Sequence, residues 1–288
     1  MSNGSCVHAD EATSGGLEVD DDVDAYDATY ALELLAEGGP KYCNDTSTYK
    51  TRVLYVLTQA QVTLGEDHYD ALREALRTKA ERTTYWVWKS AKDTGGSRHV
   101  RYVCNDDDAV LIDRLILPNS ADASWSATKS AMRAAGYNNT DRKYLAFIDW
   151  RERDTATGQR SDSTCGRGEV YGDDSVGQSN SNNSGNMIGG VYLRAAICQA
   201  WAKTAMHELG HILGGVQHSA PNSDGGYHVT DDWDRLGGGN TTLVCPDVTQ
   251  DKRYDCQDND YFNTSPPLTS YLTTHWNLAR SRFLVGGG

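Results

Sequence analysis

The chain of 288 residues has no apolar run long enough to cross a bilayer as a helix, so no membrane span is expected. It has no C-x-x-C pair, so neither a redox dithiol nor a cysteine-built zinc site is expected. It has no excess of base: 27 Lys and Arg stand against 40 Asp and Glu, a formal net charge of −13. Without a phosphate-neutralising surplus, nucleic acid and anionic membranes are poor partners, and the acidity reads as simple solubility. The N-terminus also lacks a basic segment followed by an apolar one, so no signal peptide is visible. The expectation is a mature chain whose leader has been removed, or a protein made without export.

Hydrophobic residues make up 38% of the chain and mean hydropathy is −0.61, a polar composition with room for a core. Seven cysteines are scattered through a loop-rich chain, which suggests disulfides and an oxidising, extracellular compartment. Cys245 and Cys256 bracket a short loop and are the first expected pair. Cys165 with Cys198 is the second and Cys43 with Cys104 the third, which leaves Cys6 over.

Three regions follow from the pattern. Residues 1–48 read as an acidic, flexible arm: 1–24 have almost no apolar pattern, and 26–37 fit a short helix stopped by Gly38-Gly39-Pro40. Residues 49–214 read as a regular α/β layer. Its expected elements are strand 52–64, helix 67–88, strands 98–104 and 109–117, and a helix capped by Asp122 and running to Gly136. Strand 143–150, a long polar loop over 151–186, a short edge strand at 187–194 and a helix over 195–213 complete it. Residues 215–288 are irregular until 270–284, where Leu272, Trp276, Ala279 and Phe283 share one helical face. The order fits an α/β (α+β) class, a mixed sheet with helices packed against it, followed by an irregular C-terminal subdomain ending in a helix. His8, His68 and His99 stand far from any second ligand and read as surface residues.

The chemistry concentrates in His207-Glu208-Leu209-Gly210-His211-Ile212-Leu213-Gly214, which reads H-E-x-x-H followed by x-x-G. On a helix, residues four apart share a face, so His207 and His211 can hold one zinc ion, with Glu208 placed to act on a water that the metal polarises. Glycine three residues after the second His can end the helix and let the chain turn back to bring a third ligand. A helix merely carrying two solvated histidines is the simpler reading. Against it stand the strong apolar side (Ile197, Trp201, Ala205, Leu209, Ile212), the placement of Gly214, and the histidine-bearing Gly-rich segment that follows.

The extended motif resembles the metzincin branch of zinc metallopeptidases, which continue H-E-x-x-H with x-x-G-x-x and a third His or Asp. The resemblance implies a metzincin-like mixed β-sheet with a long active-site helix. Where that pattern puts the third ligand the chain has Gln217, a poor zinc ligand, and His218 follows it. A closer resemblance, carried by 207–236, 245–262 and 266–284, is to secreted, actinobacterial-type zinc metallopeptidases. There the motif runs on as G-x-V-Q-x-S-A-P, then G-G-x-H, then D-x-x-D. Here these are Gly214-Gly215-Val216-Gln217-His218-Ser219-Ala220-Pro221, Gly225-Gly226-Tyr227-His228 and Asp231-Asp232-Trp233-Asp234. Spacing makes His218 the third ligand and the family resemblance makes it His228, with Asp224 and Asp231 as lesser options. The methionine that metzincins place as an apolar base beneath the metal is replaced by Leu236, with no tyrosine after it to stabilise an oxyanion. Tyr227, Tyr254 and Tyr261 are candidates for that second task.

Asp255, Asp258 and Asp260 are candidate calcium ligands, against the simpler reading of an acidic loop tied by a disulfide. The expected function is that of a secreted, zinc-dependent endopeptidase acting on a protein or peptide substrate. Zn2+ is held by His207, His211 and one of His218 or His228, and Glu208 is the general base. The substrate is expected along the edge strand near 187–194 as an added β-strand. The alternative is a non-catalytic, zinc-stabilised secreted binding protein or toxin component, which the off-pattern Leu236 and Gln217 favour.

Overall fold

β-Branched and aromatic residues concentrate in four segments that become neighbouring parallel strands: β2 (Lys50–Thr58), β4 (Ile112–Leu117), β5 (Arg142–Ile148) and β7 (Ile188–Tyr192). The structure is a computed structural model that describes residues 3–9, 28–37, 41–198, 201–242, 245 and 252–287. For 3–9, 28–31 and 239–242 it describes the backbone alone. The expected stop at Gly38-Gly39-Pro40 and residues 10–27 of the expected flexible arm lie outside the described residues.

The sheet runs β4-β2-β5-β7-β6, with β6 (Thr164–Tyr171) antiparallel to β7. This is the mixed α/β arrangement expected. A sixth strand, β1 (Asn3–Ala9), pairs antiparallel along the outer side of β6, so part of the expected arm is an ordered strand. Backbone pairing to β6 explains this better than side-chain pattern, because the segment has little apolar periodicity. Val53 to Leu57 have no exposed surface, as a strand covered on both faces requires. Alternate residues serve opposite layers. Val53, Tyr55, Leu57, Leu145, Phe147 and Val191 face α3 (Tyr69–Asp93) and α5 (Trp201–Ile212). Leu54, Val56, Tyr144, Ala146 and Ile148 face α4 (Trp125–Ala134), through Trp125 and Met132.

Six expectations are corrected here. The first strand stops at Thr58, whose side chain and Gln61 form a reciprocal cap that starts the short α2 (Gln59–Thr63), so 59–64 is helix and turn. The cap of α4 is Ser124, not Asp122. The polar stretch 151–186 contains β6, whose polar side chains are paired: Arg167 with Glu152, and Glu169 with Lys129 and Arg133. The strand at 188–192 is not an edge, since β6 and β5 flank it. Residues 270–284 are not a helix: Ser270 and Asn277 cap two single 3-10 turns, Tyr271–Thr273 and Leu278–Arg280. The chain then forms β10 (Leu284–Val285) against β3 (His99–Val100). Leu272, Trp276, Ala279 and Phe283 are buried as their spacing demanded, but from turns. His99, read as a surface residue, is buried under this pairing.

The short α1 (Ala28–Ala36) lies within the expected helix, and its Glu33 pairs with Lys92 of α3. The three expected disulfides, Cys43–Cys104, Cys165–Cys198 and Cys245–Cys256, are all formed. They indicate an oxidising, extracellular-type environment. Among the described residues no helix is long and apolar enough to cross a membrane.

Candidate metal centre

Helix α5 lies on a bed of glycines. A Cβ on Gly166 would come within 2.3 Å of Glu208 Oε1, one on Gly168 within 2.5 Å of His211 Cβ, and one on Gly189 within 3.1 Å of the Glu208 carbonyl oxygen. A side chain at Gly168 would press on the His211 Cβ and push the helix off the sheet, and one at Gly166 would collide with the Glu208 carboxylate. These glycines therefore set the depth at which the motif sits, and His207, Glu208 and His211 are buried as a result. The helix ends where the sequence said it would. Gly214 has φ +92°, its N–H donates to the His211 carbonyl at 2.8 Å, and the Trp276 indole N–H donates to the Leu213 carbonyl at 3.0 Å. A Cβ at Gly214 would stand 2.4 Å from Asn182 Cβ, so glycine is required twice over.

Beyond the turn the chain is guided by side chains bonding backbone. Gln217, off-pattern as a ligand, is buried and donates to the carbonyls of Tyr171 and Gly214 at 3.1 and 3.0 Å, tying the turn to the end of β6. Asp224 accepts the Gly226 and His228 N–H groups at 2.6 and 3.1 Å. Tyr227 takes a left-handed conformation with φ +71°, which reverses the chain just before His228. β8 (Val229–Asp231) and β9 (Gly237–Thr242) then carry the segment past the helix.

These two constructions meet at three imidazoles. His211 Nε2 lies 2.9 Å from His207 Nε2 and 3.2 Å from His228 Nε2. Nitrogens about 2.0–2.1 Å from one tetrahedral ion sit roughly 3.3 Å apart, so this spacing fits a shared metal. His207 Nδ1 is 2.8 Å from the Arg235 carbonyl oxygen, to which it donates, leaving the Nε2 lone pair for the ion. His228 Nδ1 faces Asp224 Oδ2 at 3.8 Å, and burial pushes the His228 pKa down, favouring the neutral, ligating form. The group His207, His211 and His228 can hold a metal ion. His218 is instead exposed and rests on the Tyr227 ring, 4.0 Å between centroids.

Glu208 is the second diagnostic residue. Both its carboxylate oxygens are fully buried and without a hydrogen-bond partner among the described residues. Burial drives its pKa well above the ordinary carboxylate value, with Arg167 and Arg235 opposing the shift. A buried carboxylate without partners is costly unless a group absent from the chain itself completes it. A metal at the three imidazoles, with its water, is such a group.

No family model matches the chain, and no curated protein matches it closely enough to count.

The other expected site residues are accounted for structurally. Leu236 is fully buried, and Cβ atoms built on Gly210 and Gly215 would touch it at 3.0 and 2.8 Å, so it is the apolar floor under the end of α5. The Tyr254 hydroxyl donates to the Met206 carbonyl and the Tyr261 hydroxyl to Asp234, both at 2.5 Å, so both brace the fold. Asp255 accepts the N–H groups of Asn259, Asp260, Tyr261 and Phe262, which makes it the hub of a turn. Asp260 accepts from Asn222, and burial raises Asp258 to about 6. Among the described residues, Asp255, Asp258 and Asp260 form no group spaced to hold a metal. Asp231, near the Cys245–Cys256 disulfide, accepts the Cys245 N–H at 2.5 Å. Sequence reading missed the glycine bed and the Arg235 carbonyl. The repeat Gly166-x-Gly168 was the available signal for the first; a backbone carbonyl leaves none.

Proposed function

We propose that the chain is a secreted zinc endopeptidase of metzincin type, with His207, His211 and His228 as the zinc ligands and Glu208 as the general base. The observation that carries this reading is the pairing of three converging imidazole nitrogens with a buried, unpartnered carboxylate one residue along the same helix. Three neutral nitrogen donors with a carboxylate beside them are the donor set of a catalytic zinc site. The three disulfides fit secretion.

When bound, zinc supplies Lewis acidity that draws electron density from a water and from a peptide carbonyl. Glu208, which burial makes readier to accept a proton than an ordinary carboxylate is, would take one from the attacking water and pass it to the leaving amine. The charges of Arg167 and Arg235 oppose that rise. His207 stays fixed in its ligating tautomer by the Arg235 carbonyl, and Leu236 keeps the floor dry. The substrate is a peptide in extended form, added as a strand to the sheet beside the helix.

The test is cleavage of casein by zinc-loaded protein. Glu208→Gln is expected to keep metal and fold and to lower cleavage by about 100-fold or more. Retained proteolysis in that variant would refute the role of Glu208. No hydrolysis by the unsubstituted, zinc-loaded chain would favour the non-catalytic zinc-stabilised reading.

A further inference from the structure

The four parallel strands all end on one side of the sheet. Gly189, which touches Glu208, lies at the start of β7, and Arg194 lies just past its end, so roughly 15 Å of chain separates the two. The chain leaving β2 runs to α3 on one face of the sheet, and the chain leaving β4 runs to α4 on the other. Where neighbouring connections part in this way, the carboxyl ends of parallel strands leave a crevice, the usual ligand position in such sheets. Here the crevice is a cavity of about 510 Å³, within the range of small-molecule sites.

Its walls come from the segments that follow the four strands, and these are fastened to one another. The Gln61 side-chain amide donates to the Asp149 carbonyl at 2.5 Å, and the Ala60 N–H donates to Asn119 Oδ1 at 2.7 Å. Arg160 pairs with Asp122 and donates to the Arg151 carbonyl at 2.9 Å. Asp149 is 1% exposed and accepts from the Tyr55 hydroxyl and, at 2.5 Å, from Arg194 Nε. Walls cross-linked like this are prebuilt, so a ligand does not have to order them.

The lining carries both signs of charge with bonding capacity to spare. Arg194 spends Nε and Nη2 on Asp149 and His68, and its Nη1 has no partner among the described residues. Arg151 spends Nη1 on Asp162 and keeps Nε and Nη2. Glu66 is exposed, and its carboxylate makes no hydrogen bond or ion pair among the described residues. It is near enough to Arg194 to help hold that charge, behind the hydrogen bond from Asp149. Leu64, 71% exposed, adds an apolar wall. Guanidinium groups match a carboxylate, a lone carboxylate matches an ammonium, and Leu64 matches a short apolar side chain. We propose that this cavity binds a free α-amino acid as its zwitterion. Its carboxylate lies on Arg194 and Arg151, its ammonium on Glu66 and its side chain against Leu64. An inorganic anion would instead meet Glu66 as a like charge. Nothing in this binding uses the metal centre.

The test is calorimetric titration of the full chain with L-leucine, which has no peptide bond to be cut. N-acetyl-leucine, which lacks the ammonium, and inorganic phosphate are the comparison probes. The variants are Glu66→Gln, which removes a side chain without a partner among the described residues, and Arg151→Gln, which breaks one exposed ion pair. Arg194 is left in place, because its loss would strand the buried Asp149. Leucine is expected to bind saturably at about millimolar concentration, and each substitution to weaken it about fivefold. N-acetyl-leucine is expected to bind the Glu66→Gln variant no more weakly than the unsubstituted chain. Absence of saturable leucine binding would overturn the proposal. So would leucine binding that neither substitution changes, which would put the ligand elsewhere, the metal centre included. Phosphate binding as tight as leucine, lost with Arg151 and indifferent to Glu66, would make this a plain anion site and overturn the zwitterion assignment.

Discussion

The two halves of the candidate metal centre are held by different physics. His207, Glu208 and His211 owe their geometry to a regular helix pressed on a glycine bed, where helical spacing alone brings the histidines to one face. His228 comes from a segment with almost no regular structure, placed by two hydrogen bonds that Gln217 donates, by the His228 N–H donating to Asp224, and by one left-handed residue, Tyr227. The helix half is robust because many contacts share the load. The loop half is specific but exposed to single substitutions. Substitutions aimed at one half or the other are therefore the way to break the comparison.

The largest effect is expected from His228→Ala. Structural zinc sites are worth about 10–16 kcal/mol, so one of four ligands carries on the order of 4 kcal/mol, about a thousandfold in zinc affinity. His218→Ala is expected to leave affinity unchanged. Competitive chelator titration reads both, and similar losses in the two variants would refute the assignment of His228. Leu236→Ala, in the floor between the halves, is expected to cost about 3 kcal/mol in chemical denaturation through the cavity it leaves. A loss under about 1 kcal/mol would mean the floor collapses and does not brace α5.

Asp255→Asn sharpens the contrast within the C-terminal region. An amide oxygen cannot serve the four backbone N–H groups that the carboxylate accepts, and about 2 kcal/mol of stability is expected to go. Because burial holds the Asp255 pKa high, part of the charge cost disappears with the substitution, so a change of opposite sign would mean the charge outweighs the hydrogen bonds.

The smallest effect is pH-dependent and tests the packing away from both halves, where β3 meets β10. Burial, then the charges of Lys41 and Lys92, lower the His99 pKa from 6.5 to about 4. Below pH 6.5 the unfolded chain binds a proton that the folded chain refuses until about pH 4, so stability is lost as pH falls through that window. The stability gap between His99→Gln and the unsubstituted protein is therefore expected to narrow, by about 1–2 kcal/mol between pH 6.5 and 5. A gap independent of pH would show that His99 titrates normally.

The same contrast explains what was legible in the sequence. The four parallel strands and the three disulfide pairs announced themselves through buried apolar runs and cysteine placement, and the helix pair through its spacing. β6 did not, because its face toward α5 is Gly166 and Gly168 and its other face is polar side chains in ion pairs, which leaves no hydrophobic alternation. The stripe at 270–284 was read correctly as buried and wrongly as helical, because Asn277 turns the chain with bonds to Ala279 and Asn263 that no periodicity reports. The choice between His218 and His228 turned on the backbone of Tyr227, and side-chain spacing carries no information about that.

The most direct test of the centre is zinc-edge anomalous diffraction from crystals of the zinc-loaded protein. The account predicts one strong peak about 2.0–2.1 Å from Nε2 of His207, His211 and His228, with Glu208 beside the open position and His218 remote. A peak ligated by His218, or none between His207 and His211, would contradict it.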